Sequence, residues 1–401
     1  MSPRLEFVPY QRLIEGMHEP PMPRSAALEA LEAETRVDPG AVYHFLASHE
    51  FPLAEPPLYT FVYRGEADAV RLRHWIQGLP TSQPFHRLER TDLWYRTLEL
   101  PDASRVEYKI EVIRGGASQW IEDPLNPHIA RDPFGANSVV TARGYEVPSW
   151  VGDEEGLARG ELEDLAIDSE PLGPGRRVTV YRPPAYRDTR RYPLLVVHDG
   201  GDYLEYASFR PVLDHLIARH EVPAMIVAFT HPVDRMAEYT ADEGHARFIV
   251  EELVPRMEET FPLLEGPASR GLVGASLGGV AALHAALAYP GRFGRLLLQS
   301  GSFAFTDIGP HGHGPVFDRI VRMMNAFRAD PTPPAARVFV SVGVYESLAS
   351  ESRALVPVLR RAGAEVHFVE SRDGHNWENW RDRLRDGLSW LFPGPLWMIY
   401  E

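Results

Sequence analysis

Residues 272–289 read LVGASLGGVAALHAALAY, and this stretch decides the class of fold. An apolar strand pattern leads into GASLG (274–278), and a run rich in alanine and leucine, typical of a helix, follows it. A Gly-x-Ser-x-Gly pattern between a strand and a helix is that of a nucleophile elbow, a sharp turn that exposes a serine hydroxyl. The pattern predicts Ser276 as a nucleophile; a glycine-rich turn without chemistry is the alternative.

The residues around this motif, from 174 to 401, alternate short apolar runs with helical patterns. The apolar runs are VTVYR, LLVVH, MIVAF, GLVGA, LLLQ, VFVSV and EVHFV. Fully apolar strands separated by helices are typical of a mostly parallel sheet that is covered on both faces. We therefore predict an α/β catalytic domain over residues 174–401.

The first part of the chain has a different pattern of apolar and polar residues. Residues 25–36 predict a short amphipathic helix. From 40 to 142 the β-branched and aromatic runs predict a small β-sandwich of the immunoglobulin-like, early-set kind; they are VYHFLAS, LYTFVYRG, VRLRHWI, LWYRTLEL, RVEYKIEVI and SVVTA. We assign residues 1–145 to this N-terminal domain. Residues 146–173, acidic and rich in glycine and proline, are predicted to be a linker.

A serine nucleophile needs a base, and the base needs a third group to orient it. In α/β-hydrolases these groups follow the chain order Ser, acid, His. His375 lies in RDGHNW, directly after the strand pattern EVHFV, and is the predicted base. Glu346 follows the strand pattern VFVSV and is the predicted acid. Asp373 is the rival, although its position near His375 is more typical of a residue that shapes the loop.

Other parts of the predicted site are less specific. An oxyanion hole needs two backbone N–H groups. We expect one from Leu277 and the other from the loop that contains Gly200 and Gly201. Arg235 and Glu238, on the loop after MIVAF, are candidate substrate contacts, and a mutual surface ion pair is the alternative.

Composition limits the possible partners. The net charge of −15 argues against nucleic acid or an anionic membrane as a partner. The absence of cysteine excludes disulfides, a cysteine nucleophile and thiolate metal sites. No apolar run is long enough for a membrane span, and the first residues lack a signal-peptide pattern. We expect a cytoplasmic protein without a metal or organic cofactor, and the sequence leaves the oligomeric state open.

Several motifs together resemble the enterochelin (ferric enterobactin) esterases of the esterase D branch of α/β-hydrolases. They are HDGGDY, DRMAEY, VGASLGG, YPGRFGRLLLQSGSF, GVYES, DGHNWENWRDRL and, earlier in the chain, TDLWYRTLEL and IEDPLNPH. The resemblance implies an esterase that opens a siderophore trilactone through an acyl-enzyme, with Ser276 and His375 at matching positions. It also implies Glu346 as the acid, since GVYES aligns with the acidic position of that family, and Arg235 and Glu238 match its Arg-x-x-Glu loop.

Three alternatives stay open at this point. The family merges into feruloyl and acetyl esterases of carbohydrates, and related mycolyltransferases pass the acyl group to a sugar hydroxyl instead of water. A non-catalytic binding protein on a hydrolase fold is the third. For the esterases and the acyltransferase alike, the expected partner is a small-molecule ester. The resemblance predicts the type of reaction but does not identify the particular ester.

Overall fold

The computed structural model describes residues 22–38, 40–152, 154–308 and 314–395. The first 21 residues of the predicted N-terminal domain thus lie outside the described part of the chain. We call residues 26–141 the N-terminal region and residues 161–391 the C-terminal region. Within the described ranges, no helix is both long and apolar enough to cross a membrane.

The N-terminal region contains two helices and two antiparallel sheets. The helices are α1 (Ala26–Glu34) and α2 (Ala41–Ser48). The first sheet has the order β1-β2-β6-β5 and consists of β1 (Leu53–Glu55), β2 (Leu58–Arg64), β5 (His86–Arg87) and β6 (Leu93–Glu99). The second has the order β4-β3-β7-β10-β9, with β8 beside β7, and consists of β3 (Ala69–His74), β4 (Ser82–Pro84), β7 (Arg105–Arg114), β8 (Ala117–Ile121), β9 (Ile129–Asp132) and β10 (Gly135–Thr141).

Both sheets contribute to one apolar cluster. Phe61 of β2 and Tyr108 of β7 are fully buried and meet edge to face, with ring centroids 4.7 Å apart. Two antiparallel sheets that share a core are compatible with the β-sandwich predicted from the alternating pattern, and the sandwich itself stays a prediction. Whether the strands follow an immunoglobulin-like course stays a prediction.

The prediction of a strand at VYHFLAS (42–48) is wrong, because these residues belong to helix α2. Val42 and Phe45 are buried against Leu28 and Leu31 of α1, which itself matches the helix predicted over 25–36. In a run this short, the spacing of apolar residues is compatible with both a strand and a helix. Packing against the neighbouring helix α1 then decides which of the two forms.

The C-terminal region is built around an eight-stranded sheet with the order β11-β12-β14-β13-β15-β16-β17-β18. The strands are β11 (Glu161–Ser169), β12 (Gly173–Arg182), β13 (Leu194–Val197), β14 (Ile226–Thr230), β15 (Arg270–Ala275), β16 (Arg295–Gln299), β17 (Arg337–Gly343) and β18 (Glu365–Ser371). The two pairings that involve β12 are antiparallel, and all the others are parallel. The mostly parallel sheet predicted from the seven apolar runs is confirmed.

Helices cover both faces of this sheet. They are α3 (Gly200–Tyr206), α4 (Phe209–Ala218), α5 (Arg235–Tyr239), α6 (Glu243–Arg247), α7 (Val254–Thr260), α8 (Leu277–Ala288), α9 (Asp318–Ala329), α10 (Ala349–Arg361) and α11 (Trp377–Leu391). Alternate strand residues enter different clusters: Val338 and Val340 pack toward α10, and Phe339 packs toward α11.

The predicted linker 146–173 contains a strand that the sequence prediction missed. Residues 161–169 form the edge strand β11, which pairs antiparallel with β12. Its side chains are mostly exposed and acidic, and only Ile167 and Ser169 are buried. Charged side chains on an edge strand discourage pairing with another chain, and here they also hide the apolar alternation that would indicate a strand.

The parallel strands deliver their carboxyl ends to one edge of the sheet. Five polar side chains follow the ends of these strands. They are Asp199 after β13, Ser276 after β15, Ser300 after β16, Glu346 after β17 and His375 after β18. In open α/β sheets, ligands bind at this edge.

Candidate active site

The turn between β15 and α8 holds Ser276 in an unusual backbone conformation, with φ 55° and ψ −123°. A positive φ is rare for a residue with a side chain and persists only where the surroundings impose it. Two glycines make the turn possible. A Cβ atom on Gly274 would lie 2.1 Å from the Gly278 carbonyl oxygen, so neither strand nor helix could approach as closely with larger residues.

Glu346 contacts His375 directly. Its Oε2 atom lies 2.5 Å from His375 Nδ1. The other carboxylate oxygen accepts hydrogen bonds from Ser300 Oγ at 2.6 Å and from the Gly343 N–H at 2.7 Å. With Nδ1 engaged by the carboxylate, Nε2 is the ring nitrogen left for a nucleophile.

Asp373 is occupied elsewhere. Its Oδ1 atom accepts hydrogen bonds from the Gly374 N–H at 2.7 Å and from Asn376 Nδ2 at 2.8 Å. Arg105 Nη1 lies 3.3 Å from the same oxygen. Burial raises the pKa of Asp373 to about 6, against the opposing charge of Arg105. These contacts shape the loop that carries His375, so the geometry favours Glu346 over Asp373 as the acid.

Two residues beside Glu346 and His375 carry no sequence signal that could single them out. Ser300, which donates to Glu346, itself accepts a hydrogen bond from Trp380 Nε1 at 2.9 Å. The Trp380 ring meets the His375 ring edge to face, with centroids 5.0 Å apart. The indole therefore supports both the imidazole and, through Ser300, the carboxylate that orients it.

Ser276, Glu346 and His375 open onto one cavity of about 770 Å³. Most of the side chains that line it come from the N-terminal region rather than from the sheet that carries these three residues. The N-terminal contributors include Trp75, Leu79, Arg105, Glu107, Lys109, Trp120, Asp132 and Phe134. A substrate bound to the C-terminal residues would therefore also contact the N-terminal region.

The N-terminal region also holds the loop of His375 in place. Arg105 is almost fully buried and reaches across the interface, where Nη1 donates to Asn376 Oδ1 at 3.0 Å. Its Nη2 atom lies 2.6 Å from Glu378 and 3.0 Å from Glu107. Burial alone would lower the pKa of Arg105, but the carboxylates around it, with Asp373 first among them, raise it above its usual value. The guanidinium is thus a charged anchor between the regions.

Removing this anchor should destabilise the chain. We expect Arg105→Met to lower the free energy of unfolding by about 3 kcal/mol, because it leaves buried carboxylates without their cation. The kcat/KM for a small ester should fall by about tenfold or more as the His375 loop loses its geometry. Denaturant unfolding and initial-rate kinetics measure the two effects. Arg64→Met, which breaks an exposed ion pair with Asp92 in the same region, is the control, and equal effects of both variants would contradict the role of Arg105.

The three residues predicted to form the oxyanion hole lie at the N-terminal ends of two helices. Leu277 is the first residue of α8, where backbone N–H groups have no acceptor within the helix. Gly200 begins α3 directly after Asp199, which has a φ of 53°. A Cβ on Gly200 would lie 2.4 Å from that of Phe229, which leaves no space for a side chain, and one on Gly201 would face His231. None of the three predicted oxyanion residues is among the described residues that line the cavity.

Arg235 and Glu238 both form ion pairs with other side chains of the C-terminal region, and their contact with a substrate stays a prediction. Arg235 donates twice to Asp199, at 2.8 Å each, and so fixes the loop before α3. Glu238 is buried and bonded to Arg176 at 2.5 Å. The loop after β14 folds into the short helix α5, capped by Asp234, and this directs Arg235 toward Asp199 and Glu238 toward Arg176. Neither residue lines the cavity, and they do not pair with each other as the alternative supposed.

A second carboxylate lies near Glu346 without a role in these contacts. Glu351, on α10, is 1% exposed, and neither of its oxygens has a hydrogen-bond partner in the described part of the chain. Burial, and then the charge of Glu346, raise the pKa of Glu351 from 4.5 to about 7. At a pH between the pKa of the unfolded chain and that of the folded chain, the Glu351 carboxyl is ionised in the unfolded chain and protonated in the folded one. The free energy of unfolding therefore falls as the pH rises through this range.

Replacing Glu351 with glutamine should therefore stabilise the protein in a pH-dependent way. We expect Glu351→Gln to raise the free energy of unfolding by about 3 kcal/mol at pH 8 and by less than about 1 kcal/mol at pH 5. Urea unfolding at both pH values measures this difference. Glu365→Gln, at an exposed carboxylate paired with Arg337, should change stability little at either pH. An increase in the free energy of unfolding that does not depend on pH would contradict a raised pKa at Glu351.

The fold and the geometry of the site define an α/β enzyme of the ester-hydrolase class. The model of the Esterase family matches residues 169–391, more than half of the chain, and the chain belongs to this family.

Known proteins are similar over most of the chain. The iron(III) enterobactin esterase of Dickeya dadantii (strain 3937) is 26% identical over 350 residues, which cover 78% of this chain and 80% of that protein. The crystal structure of the enterobactin esterase from Shigella flexneri in the presence of enterobactin has a TM-score of 0.69 at 23% identity, and covers 83% of this chain and 92% of that one. The resemblance inferred from the motifs is thereby confirmed.

A ferulic acid esterase is similar over less of the chain. The structure from Anaeromyces mucronatus in complex with ferulic acid has a TM-score of 0.50 at 18% identity, and covers 60% of this chain and 94% of that one. At this identity the likeness concerns the fold alone.

Proposed function

We propose that this protein is a serine esterase that hydrolyses the ester bonds of an enterobactin-like siderophore through an acyl-enzyme on Ser276. The observation that carries the proposal is the contact of 2.5 Å between Glu346 and His375, in a cavity that Ser276 also lines. The iron(III) enterobactin esterase of Dickeya dadantii supports the substrate class, because its similarity extends over 78% of this chain and thus into the N-terminal region.

In the first half of the reaction, His375 Nε2 accepts the hydroxyl proton of Ser276 while Oγ bonds to the ester carbonyl carbon. Glu346 holds the imidazole in the required tautomer and stabilises its charged form. When the tetrahedral intermediate collapses, the carbon–oxygen bond of the ester breaks and His375 returns the proton to the departing alkoxide. The acyl group stays on Ser276. The freed hydroxyl stays joined to it when the ester belongs to an intact trilactone, and departs as part of a separate alcohol when the ester is linear.

In the second half, His375 removes a proton from water as the water oxygen attacks the acyl carbon. The bond to Ser276 Oγ then breaks and the serine recovers its proton, so one water is consumed for each ester. The negative charge on the carbonyl oxygen needs donors in both halves. We assign this role to the backbone N–H of Leu277 and to the loop of Gly200 and Gly201.

The size and lining of the cavity support a bulky aromatic acyl group. Small-molecule sites have volumes of roughly 300–1,000 Å³, and the cavity here has about 770 Å³. Trp75 and Trp120 present aromatic surface to it. Iron would enter as part of the substrate, and no step of the reaction requires a metal held by the protein.

The test is a comparison of esters with the purified full chain. We expect kcat/KM for an enterobactin-type trilactone to exceed that for a methyl ferulate or an acetylated xylan by about a hundredfold, with products separated by chromatography. Activity confined to the feruloyl or acetyl esters would refute the siderophore assignment. Transfer of the acyl group to an added sugar alcohol, in preference to water, would instead identify an acyltransferase.

A further inference from the structure

One face of strand β7 is directed toward the catalytic side chains. Val106, Tyr108, Ile110 and Val112 are buried in the core between the two N-terminal sheets, so the residues that alternate with them point to the opposite face. These are Arg105, Glu107, Lys109 and Glu111. The first three line the cavity that also contains Ser276 and His375.

Lys109 differs from its neighbours on this face because it has no partner. Arg105 pairs with Glu107 at 3.0 Å, and Glu111 pairs with Arg73 at 2.8 Å. Within the described ranges, the ammonium of Lys109 forms neither an ion pair nor a hydrogen bond, although the side chain is only half-exposed. It is also the single lysine among the 41 basic residues of a chain with a net charge of −15.

Aromatic side chains line the same cavity as this ammonium. Trp75 and Trp120 are 49% and 48% exposed and Phe134 is 97% exposed, and all three line the cavity. Trp120 of β8 lies opposite Glu111 of β7 and is therefore a diagonal neighbour of Lys109. The Arg73 guanidinium covers one face of the Trp120 ring, 4.6 Å from the ring centroid. Exposed apolar surface concentrated on one wall marks a binding site more often than chance.

The carboxylates of the cavity are engaged within the protein. Glu107 is bonded to Arg105, and Glu346 is bonded to His375. Asp132 accepts the backbone N–H of Phe134 at 2.7 Å. An ammonium without a partner, beside exposed indole rings, is therefore left to interact with whatever occupies the cavity.

We propose that Lys109 and Trp120 form a subsite for a negatively charged aromatic group of the ester, such as a ring that bears a carboxylate or an ionised phenol. The ring stacks on the face of the Trp120 indole that Arg73 does not cover, and the ammonium pairs with the anionic oxygen, while the ester carbonyl lies at Ser276. This proposal rests on the proposed function, because it specifies which part of the ester is recognised and by which residues. In an acidic chain, a local cation offsets the general repulsion of an anionic substrate.

The experiment uses two esters that differ by one charge: the 4-nitrophenyl esters of 4-carboxycinnamic acid and of its carboxamide. For Lys109→Met we expect kcat/KM with the carboxylate ester to fall by about tenfold, through KM, because one charge-assisted contact is lost. The carboxamide ester should change by less than twofold. Lys109→Arg should retain most of the activity toward both. Arg64→Met, which removes a cation of the same region from outside the cavity, is the control.

A binding titration makes the result independent of catalysis. The affinity of 4-carboxycinnamate, measured by calorimetry, should be about tenfold lower for Lys109→Met than for the unaltered chain. Equal affinities, or equal losses of kcat/KM for both esters, would overturn the subsite. Absence of turnover by the unaltered chain would contradict the proposed function, and the titration would still decide the role of Lys109.

Discussion

The Ser276→Ala variant is expected to hydrolyse esters about 10⁴ to 10⁶ times more slowly than the unaltered chain. The variant removes the hydroxyl that forms the acyl-enzyme and leaves the cavity, His375 and the backbone donors in place. Burst kinetics with 4-nitrophenyl acetate measure both the turnover and the stoichiometry of acylation. We expect one equivalent of 4-nitrophenol in the burst from the unaltered chain and none from the variant.

The matched control for this variant is Ser208→Ala. Ser208 also has a positive φ, of 48°, lies at the start of α4 and does not line the cavity. It therefore reproduces the effect of alanine at a residue with a positive φ without touching the chemistry. Equal rates of ester turnover by Ser276→Ala and the unaltered chain would contradict the proposed role of Ser276 as the nucleophile.

The second large effect is expected at the acid. We predict that Glu346→Gln lowers kcat by about 10⁴-fold, because an amide cannot stabilise the charged imidazole and favours the wrong tautomer. Asp373→Asn should lower kcat by less than about tenfold, since Asp373 contacts the loop and Arg105 rather than the imidazole. Steady-state kinetics of the two variants with one ester decide between the candidates.

Stability must be followed in the same experiment. Glu346 accepts hydrogen bonds from Ser300 and Gly343, and glutamine retains one acceptor oxygen for them. Melting temperatures close to that of the unaltered chain would assign the loss to chemistry. If Asp373→Asn caused the greater loss at unchanged stability, Asp373 would replace Glu346 as the proposed acid.

The local patterns predicted the parts of the molecule that local physics determines. The strand–turn–helix at Ser276 has little freedom, because only glycine fits at 274, and the structure shows the turn that the motif requires. Chain order and strand ends then indicated His375 and Glu346, whose side chains the fold brings into contact.

The contacts that the sequence did not predict join distant parts of the chain. Arg105 and Asp373 are 268 positions apart in the sequence, and Trp380 and Ser300, which share a hydrogen bond, are 80 positions apart. No periodicity or spacing records such a contact. The same reason applies to Arg235 and Glu238: they lie on a loop at the correct edge of the sheet, but the fold of that loop directs them to Asp199 and Arg176.

The position of Arg105 on β7 links the accuracy of sheet assembly to catalysis. Arg105 and Val106 point to opposite faces of the strand, one toward the His375 loop and the other into the apolar core. A slip of one residue in the pairing of β7 would exchange these faces and bury a guanidinium among aliphatic side chains. The correct register of a strand that is distant from Ser276 in the sequence is thus a condition for an ordered histidine loop, and the two regions are expected to change together in evolution.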